Sequence, residues 1–359
     1  MRINIVFFFA VVVLAVASLA QGVSIEEREL QGRFNGWMRQ HARSYDSDEF
    51  LERYNIWREN MAFVEEFNRA GDKSFTVAMN QYGDLAPEEF SRLYKGHMLP
   101  KDEEEQMRKR LDEQDPAEEE PVTVGATVPA SWDWRSVGAV TGIENQGSCA
   151  SCWAFASAYA LEGARKIANS TLVSLSKQQL VDCSGSGGNL GCYGGNVGLT
   201  YTWMRRNNAK LMTEANYPYT GVQAACRYTS ASPAVVGVKN YASVKAGSES
   251  DLLANAAVGP VTVAIDSSKR SFIYYSGGYY YDQTCSSSYL DHAVTVVGWG
   301  TDATNGDYWL VKNSWGAAWG EAGYVKMARN RSNNCGIASL AVRPCLDATC
   351  TTTPNTPSA

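Results

Sequence analysis

Histidine is scarce in this sequence: 359 residues carry only three, His41, His97 and His292. So small a supply excludes a metal centre built on several imidazoles. Cysteine is missing from the first 148 residues and then appears nine times, from Cys149 to Cys350. No block of Lys and Arg occurs and the net charge is -6, which gives no case for nucleic acid. Beyond the first 20 residues no stretch approaches the roughly 18 apolar residues of a membrane span. What is present is 45% hydrophobic, 19% charged and 11% aromatic, a balance that supports a packed core and argues against disorder.

Charge is unevenly spread. Residues 1–127 hold 24 Asp and Glu against 15 Lys and Arg, whereas residues 128–359 hold 14 against 17. An acidic front section thus precedes a mildly basic body, two parts able to attract each other. The front opens with Arg2, an apolar run from Ile5 to Ala17 and the small residues Ser18-Leu19-Ala20. That pattern reads as a signal peptide over 1–20 rather than an anchor. An oxidising route would pair most of the nine cysteines, and the odd number leaves at least one thiol over. Asn169 (Asn-Ser-Thr) and Asn330 (Asn-Arg-Ser) are glycosylation sequons on the same logic.

Residues 21–100 read as helical. Glu49, Arg53, Ile56, Trp57, Asn60, Val64 and Asn68 recur on three- and four-residue steps, which puts them on neighbouring faces of one long helix. Residues 102–120 are a charge run punctuated by Pro116 and Pro121, a solvated linker. From about Val128 the texture changes to glycine, tyrosine and tryptophan. Residues 152–168 predict an amphipathic helix, and Leu175–Val181 a second one with Ser176 as N-cap and Gln179 three residues on. Strands are predicted at Val235–Val238, Val261–Ile265, His292–Trp299, Tyr308–Lys312 and Tyr324–Ala328. Helices first and strands later imply an α+β fold of two subdomains with a cleft between them.

The densest motif is Gln146-Gly147-Ser148-Cys149-Ala150-Ser151-Cys152-Trp153. Two cysteines so spaced can be a disulfide, half a zinc site, a redox pair, or a structural cysteine beside a nucleophile. Zinc lacks its further ligands and the redox reading lacks a thioredoxin-like βαβ unit. Cys152 begins a predicted helix, where backbone N–H groups and the helix dipole favour a thiolate. A thiolate nucleophile needs an imidazole to activate it and to protonate the leaving group. After residue 127 only His292 can serve, so in the processed enzyme the sulfur is expected unpaired and ionised against it. Asn313, within Lys312-Asn313-Ser314-Trp315-Gly316, can orient the ring, with Trp315 as its shield against water. Gln146, with the Cys152 backbone N–H, can hold the developing oxyanion.

Taken together, these residues resemble the papain family of cysteine peptidases. The resemblance runs through Asp133-Trp134-Arg135, Asn145–Cys149, Cys152-Trp153, Gly191–Gly195, Asp291–Val294, Lys312–Gly316 and Asn334-Cys335-Gly336. Glu49, Arg53, Trp57, Asn60, Val64 and Asn68, followed by Asn80, Tyr82 and Asp84, are similar to the inhibitory prosegment of its cathepsin L-like members. The resemblance implies a papain-like fold, with a helical left domain, a β-barrel-like right domain and the catalytic cleft between, preceded by a helical prodomain. It divides the chain into a propeptide over 21–127, a peptidase domain over 128–345 and a Thr-rich tail over 346–359. It also implies the disulfides Cys149–Cys192, Cys183–Cys226 and Cys285–Cys335, with Cys345 and Cys350 expected to pair with each other. Ala150 departs from the glycine usual at its position and is harmless if its φ is negative.

The resemblance places Asn196, Val197, Ala264, Leu290, Ala293 and Leu340 near the P2 pocket, together with Asp291 and Trp315 among the substrate-binding residues. Gly194 and Gly195 would bond an extended substrate backbone. These mostly apolar positions imply a hydrophobic P2 preference, and the shortage of histidines excludes the occluding loop of dipeptidyl relatives, which leaves an endopeptidase. The expected partners are peptide and protein substrates, the chain's own propeptide and cystatin-type inhibitors, with no cofactor, metal, nucleic acid or membrane. Activation by prosegment removal near Gly125–Val128 at acidic pH is expected, in a lysosome-like or vacuole-like compartment or outside the cell. The rival readings are a thiol-dependent ligase on the same machinery and a silent papain-like binding protein.

Overall fold

The computed structural model describes residues 25–96 and 128–350. The proposed signal peptide, the acidic linker, the processing region before Val128 and the tail beyond Cys350 lie outside the described residues. Two compact units are present, one within Met1–Glu65 with Gly83–Leu85, the other within Glu66–Tyr82 with Ala86–Ala359.

The first unit is built on α1 (Ile25–Gln40) and most of α2 (Ser47–Arg69). Asp46 starts α2: its carboxylate accepts the N–H groups of Asp48 and Glu49, orphan donors at a helix start. The apolar faces meet around Phe34, whose ring lies 5.4 Å from both Tyr54 and Trp57 and 5.5 Å from Phe50. The stepped residues of α2 are used as the spacing predicts. Arg53 pairs with Glu49 one turn back and donates to the Asp84 carbonyl, and buried Asn60 donates to the carbonyls of Gly83 and Leu85.

The second unit holds the rest of the prosegment and the whole body. Its prosegment part contains the end of α2, strand β1 (Phe75–Val77) and helix α3 (Pro87–Tyr94). Asn68 ties the end of α2 to β1 by bonds in both directions with Val77. The strand is a departure from the all-helical reading of 21–100. It pairs antiparallel with β7 (Tyr275–Tyr280), whose two adjacent glycines obscure its own strand pattern in the sequence. That pairing covers an otherwise open sheet edge.

The body begins with β2 (Trp132–Asp133) and continues with α4 (Cys152–Asn169), α5 (Lys177–Cys183), α6 (Val197–Arg206), α7 (Glu249–Val258) and the short α8 (Arg270–Ile273). Ser176 caps α5 by accepting the Gln179 N–H, as the sequence predicts. The helical half packs Trp153, Leu161, Leu180, Tyr201, Met204 and Leu211 into one core.

The other half is a sheet. Besides β1, β2 and β7 it contains β5 (Asn240–Ser243), β6 (Val261–Ile265), β8 (His292–Asp302), β9 (Gly306–Lys312), β10 (Tyr324–Ala328) and β11 (Ala341–Cys345). The strand path is β1-β7-β10-β9-β8-β6-β11-β5, with β2 added beside β8; β3 (Lys210–Met212) and β4 (Ala234–Gly237) form a separate ribbon. Strand β2 can approach β8 because residue 298 is glycine: a Cβ there would lie 2.4 Å from the Trp132 carbonyl oxygen. Helix α4 is bonded to the sheet, since the hydroxyls of Thr262 and Thr295 both donate to the Ala156 carbonyl. This brings the N-terminus of α4 to the start of β8. Four disulfides close the body: Cys149–Cys192, Cys183–Cys226, Cys285–Cys335 and Cys345–Cys350.

Candidate active site

Cys152 is the first residue of α4 and the one free cysteine, buried. The backbone N–H groups of Ala293, Gly96 and Trp153 point at its sulfur. The Ala293 contact sets β8 against the sulfur at the residue directly after His292. Ala150 has a negative φ and donates its N–H to the Cys192 carbonyl, so its methyl group does not strain the loop before Cys152.

His292 opens β8 and is buried. Its Nε2 lies 2.8 Å from Asn313 Oδ1. That oxygen also accepts the Ser314 N–H, which fixes the amide's orientation. An amide oxygen only accepts, so Nε2 carries the proton and Nδ1 is left with its lone pair. Nδ1 is buried and makes no hydrogen bond among the described residues. The imidazole stacks on Trp315 at 4.5 Å between ring centres.

Gln146 is held on three sides. Its N–H donates to the Ser314 carbonyl, its Oε1 accepts the Ser314 hydroxyl, and its Nε2 donates to the Cys149 carbonyl. The same Nε2 donates at 3.0 Å to the Tyr94 carbonyl of the prosegment. Residues Tyr94-Lys95-Gly96 therefore straddle Cys152, with a carbonyl on the Gln146 amide and an N–H on the sulfur. A Cβ at Gly96 would come within 3.2 Å of the sulfur, so glycine gives the close approach its room. Tyr82 and Gln81 donate to the Trp315 carbonyl, and Phe90 meets the Trp315 ring edge-on at 5.0 Å. Asn80, from the same prosegment motif, donates to the Ile273 carbonyl.

The ion pair expected of the processed enzyme is not the state of the precursor. Burial beneath the prosegment pushes the Cys152 thiol up to about 11. Burial, with a smaller effect of the Lys95 ammonium, brings His292 down to about 3 against the supporting bond to Asn313. Desolvation disfavours both charged forms, so the pair is neutral with the prosegment in place.

The other expected positions divide into two groups. Gly194 lies beside Gly96, its Cα 3.7 Å from where a Cβ on residue 96 would stand. Ala264 and Ala293 face each other across β6 and β8, and Leu290 and Leu340 are half-buried. Asp291 is engaged by the prosegment through Lys95. Asn196, Val197 and Gly195, in contrast, are used by the core. Asn196 caps α6 by accepting the N–H groups of Gly198 and Leu199, Val197 is fully buried, and Gly195 leaves room for the Trp153 ring. The α6 cap explains why a polar residue stands at 196, a role concealed by the glycine-rich motif before it. Asn169 is exposed at the end of α4; Asn330 is exposed with its amide on Asp307. Among the described residues no cluster of His, Cys, Asp and Glu is placed to hold a metal ion, and no helix is long and apolar enough to cross a membrane.

Sequence reasoning missed Lys95 and Gly96, whose roles exist only in the docked prosegment. It also missed the charges behind the site. Lys177 pairs with Glu144 at 2.6 Å and Glu162 at 3.0 Å, and Lys312 Nζ donates to Thr141 while lying 3.4 Å over the Tyr159 ring. Lys312 immediately precedes Asn313, so the cluster supports the strand that carries the imidazole's partner.

Residues 128–345 match the family described as papain family cysteine protease, and residues 34–90 match the cathepsin propeptide inhibitor domain. The chain is 43% identical over 306 residues to digestive cysteine proteinase 3 of Homarus americanus, covering 84% of this chain and 90% of that one. It is 40% identical over 343 residues to procathepsin L of Felis catus, covering 94% and 98%. Among solved structures, digestive procathepsin L 3 of the Tenebrio molitor larval midgut superposes with a TM-score of 0.76 at 37% identity, covering 88% of this chain and 99% of that one. With a lone thiol at a helix start, an asparagine-bound imidazole and a prosegment across both, the chain belongs to the papain family of cysteine proteases, a cathepsin L-like endopeptidase zymogen carrying its own propeptide inhibitor domain.

Proposed function

We propose that Cys152 is the nucleophile, His292 its base and acid, Asn313 the orienting group and Gln146 an oxyanion donor. Once the prosegment leaves, water and the helix terminus favour the thiolate, and Nδ1 of His292 takes the proton. The sulfur attacks the scissile carbonyl, and the oxyanion falls to the Gln146 amide and the Cys152 N–H. The imidazolium protonates the leaving amine; water, deprotonated by the same ring, then releases the acid. Asn313 and Trp315 hold the ring through both steps.

The observation that carries this reading is the Tyr94 carbonyl on the Gln146 amide: peptide backbone already fills the place where the oxyanion would form. Apolar Ala264, Leu290, Ala293 and Leu340 support a preference for Leu, Val or Phe at P2, with Gly194 and Gly195 bonding the substrate backbone. Prosegment removal at acidic pH would release the cleft, as protonation weakens the attraction between an acidic prosegment and a basic body. Four disulfides fit a secretory or lysosomal setting, with glycans on the exposed Asn169 or Asn330 and cystatin-type proteins as inhibitors.

The test is an epoxysuccinyl thiol trap applied to acid-processed enzyme, with peptide mapping and a fluorogenic panel. Label at Cys152 alone, with Phe-Arg or Leu-Arg substrates cut faster than Arg-Arg, is expected. Label elsewhere refutes the assignment of the nucleophile, and faster cleavage of Arg-Arg refutes the P2 preference.

A further inference from the structure

Gln146 and Ser151 are the two ends of the loop that leads to Cys152, and one side chain from elsewhere in the body touches both. The Tyr219 hydroxyl lies 2.7 Å from the Gln146 carbonyl and 2.7 Å from Ser151 Oγ. A carbonyl only accepts, so the phenol proton goes to Gln146 and the Ser151 hydroxyl donates to the phenol oxygen. The other acceptor near Ser151 Oγ, the Cys149 carbonyl, is farther off at 3.3 Å. Burial pushes the phenol up to about 12, so its proton stays in place at acidic and neutral pH. The ring is held independently of the loop. It meets Phe155 edge-on at 4.8 Å, the Tyr219 N–H donates to Glu214, and the Thr220 N–H donates to Gln178.

We propose that Tyr219 is a positioning residue for peptide cleavage: its hydroxyl bridges Gln146 and Ser151 and so sets the spacing of the two oxyanion donors, the Gln146 amide and the Cys152 N–H. Ser151 immediately precedes Cys152, so the bridge reaches the backbone that carries the second donor. The Gln146 backbone is fixed on both sides, its N–H on the Ser314 carbonyl and its carbonyl on Tyr219. The peptide after it has one further hold, the Gly147 N–H on Asn145 Oδ1. Gly147 itself has φ +61, and a Cβ there would meet nothing within 4 Å, so hydrogen bonds rather than packing fix this stretch. Donors that are fixed beforehand meet a developing charge without reorganising, which is where their catalytic worth lies. Without the hydroxyl, the Gln146 carbonyl loses its donor and the two ends of the loop lose their common anchor. The effect of Tyr219 on the reaction passes through those two ends.

The inference rests on the endopeptidase reading and is tested so that the two fail separately. Processed wild type, Tyr219→Phe, Gln146→Ala and the double variant are compared on one fluorogenic peptide amide, each rate divided by the active sites that an epoxysuccinyl trap titrates. For Tyr219→Phe, kcat is expected about tenfold lower with KM within about twofold, less than the roughly 100- to 1,000-fold cost of losing a donor outright. Alkylation of Cys152 by iodoacetamide, a displacement that forms no oxyanion, is expected to keep its rate and pH profile. In the Gln146→Ala background the effect of Tyr219→Phe should shrink to under about twofold, because one donor alone has no spacing to set. A kcat for Tyr219→Phe within about twofold of wild type overturns the proposal. So does a loss kept in full in the Gln146→Ala background, or one matched by an equal loss of alkylation. If Tyr219→Phe does not fold, Ser151→Ala cuts the bridge at its other end. Its kcat is expected about threefold lower with alkylation unchanged, and a kcat at the wild-type level overturns the proposal. Failure of the wild type to cut the peptide, with no label on Cys152, removes the endopeptidase reading instead.

Discussion

The neutral state of the precursor's thiol can be tested by titrating its reactivity. The perturbation is prosegment removal, and the probe is a small neutral alkylating agent such as iodoacetamide. Eight of the nine cysteines are in disulfides, so a single site reacts. Burial holds the Cys152 thiol at about 11 in the precursor. At pH 7 only about one molecule in ten thousand then carries the thiolate, and the fraction rises about tenfold per pH unit. In the processed enzyme the imidazolium and the α4 terminus stabilise the thiolate, so most molecules react near neutrality. The second-order alkylation rate should therefore differ by at least ~1,000-fold at pH 6–7. The slope separates two causes. A thiolate merely shielded from the reagent gives a low but flat rate, whereas a neutral thiol gives log rate against pH with a slope near one from pH 6 to 9. Rates read by intact mass and mapped to Cys152 decide. A precursor rate flat across that range, or within tenfold of the processed enzyme at pH 6, refutes the neutral pair.

Two further outcomes follow from contacts around the same site. Gly96→Ala places a methyl group 3.2 Å from the Cys152 sulfur, so the two must part by a few tenths of an ångström; the variant precursor should process faster at acidic pH, and unchanged time courses would count against the close approach. Glu162→Ala removes a buried carboxylate that accepts from Leu175 and Lys177, leaving the Lys177 ammonium with Glu144 alone of its two carboxylate partners. Burial opposes that ammonium, and the two carboxylates outweigh it to hold its titration above the usual lysine value. The expected loss is about 3–5 kcal/mol in urea unfolding of the precursor, and a loss under about 1 kcal/mol would mean that the cluster relaxes without Glu162.

The candidate site could be read before any coordinates because it is written locally. Cys152 at a helix start, one available histidine at 292, and Asn313 beside Trp315 are residue types whose chemistry hardly depends on what surrounds them. The spans of α2, α4 and α5 were equally legible, since their periodicity and the Ser176 cap are short-range features. Helices α6 and α7, and strands β1, β5, β7 and β11, were not: they are short, or broken by glycine as at Gly277-Gly278, and form because the rest of the body covers them. Asn196 and Val197 take up a helix cap and a core position that the glycine-rich motif before them does not announce. The precursor's protonation state was not legible for the same reason. Sequence supplies a thiol and an imidazole able to form an ion pair. Tertiary structure buries them under Tyr94-Lys95-Gly96, and the loss of water leaves both neutral. The sequence alone thus determined which thiol, imidazole and amides are available to one site, whereas the fold decided that they meet and that they are buried, because ionisation depends on solvent access and no local pattern encodes that.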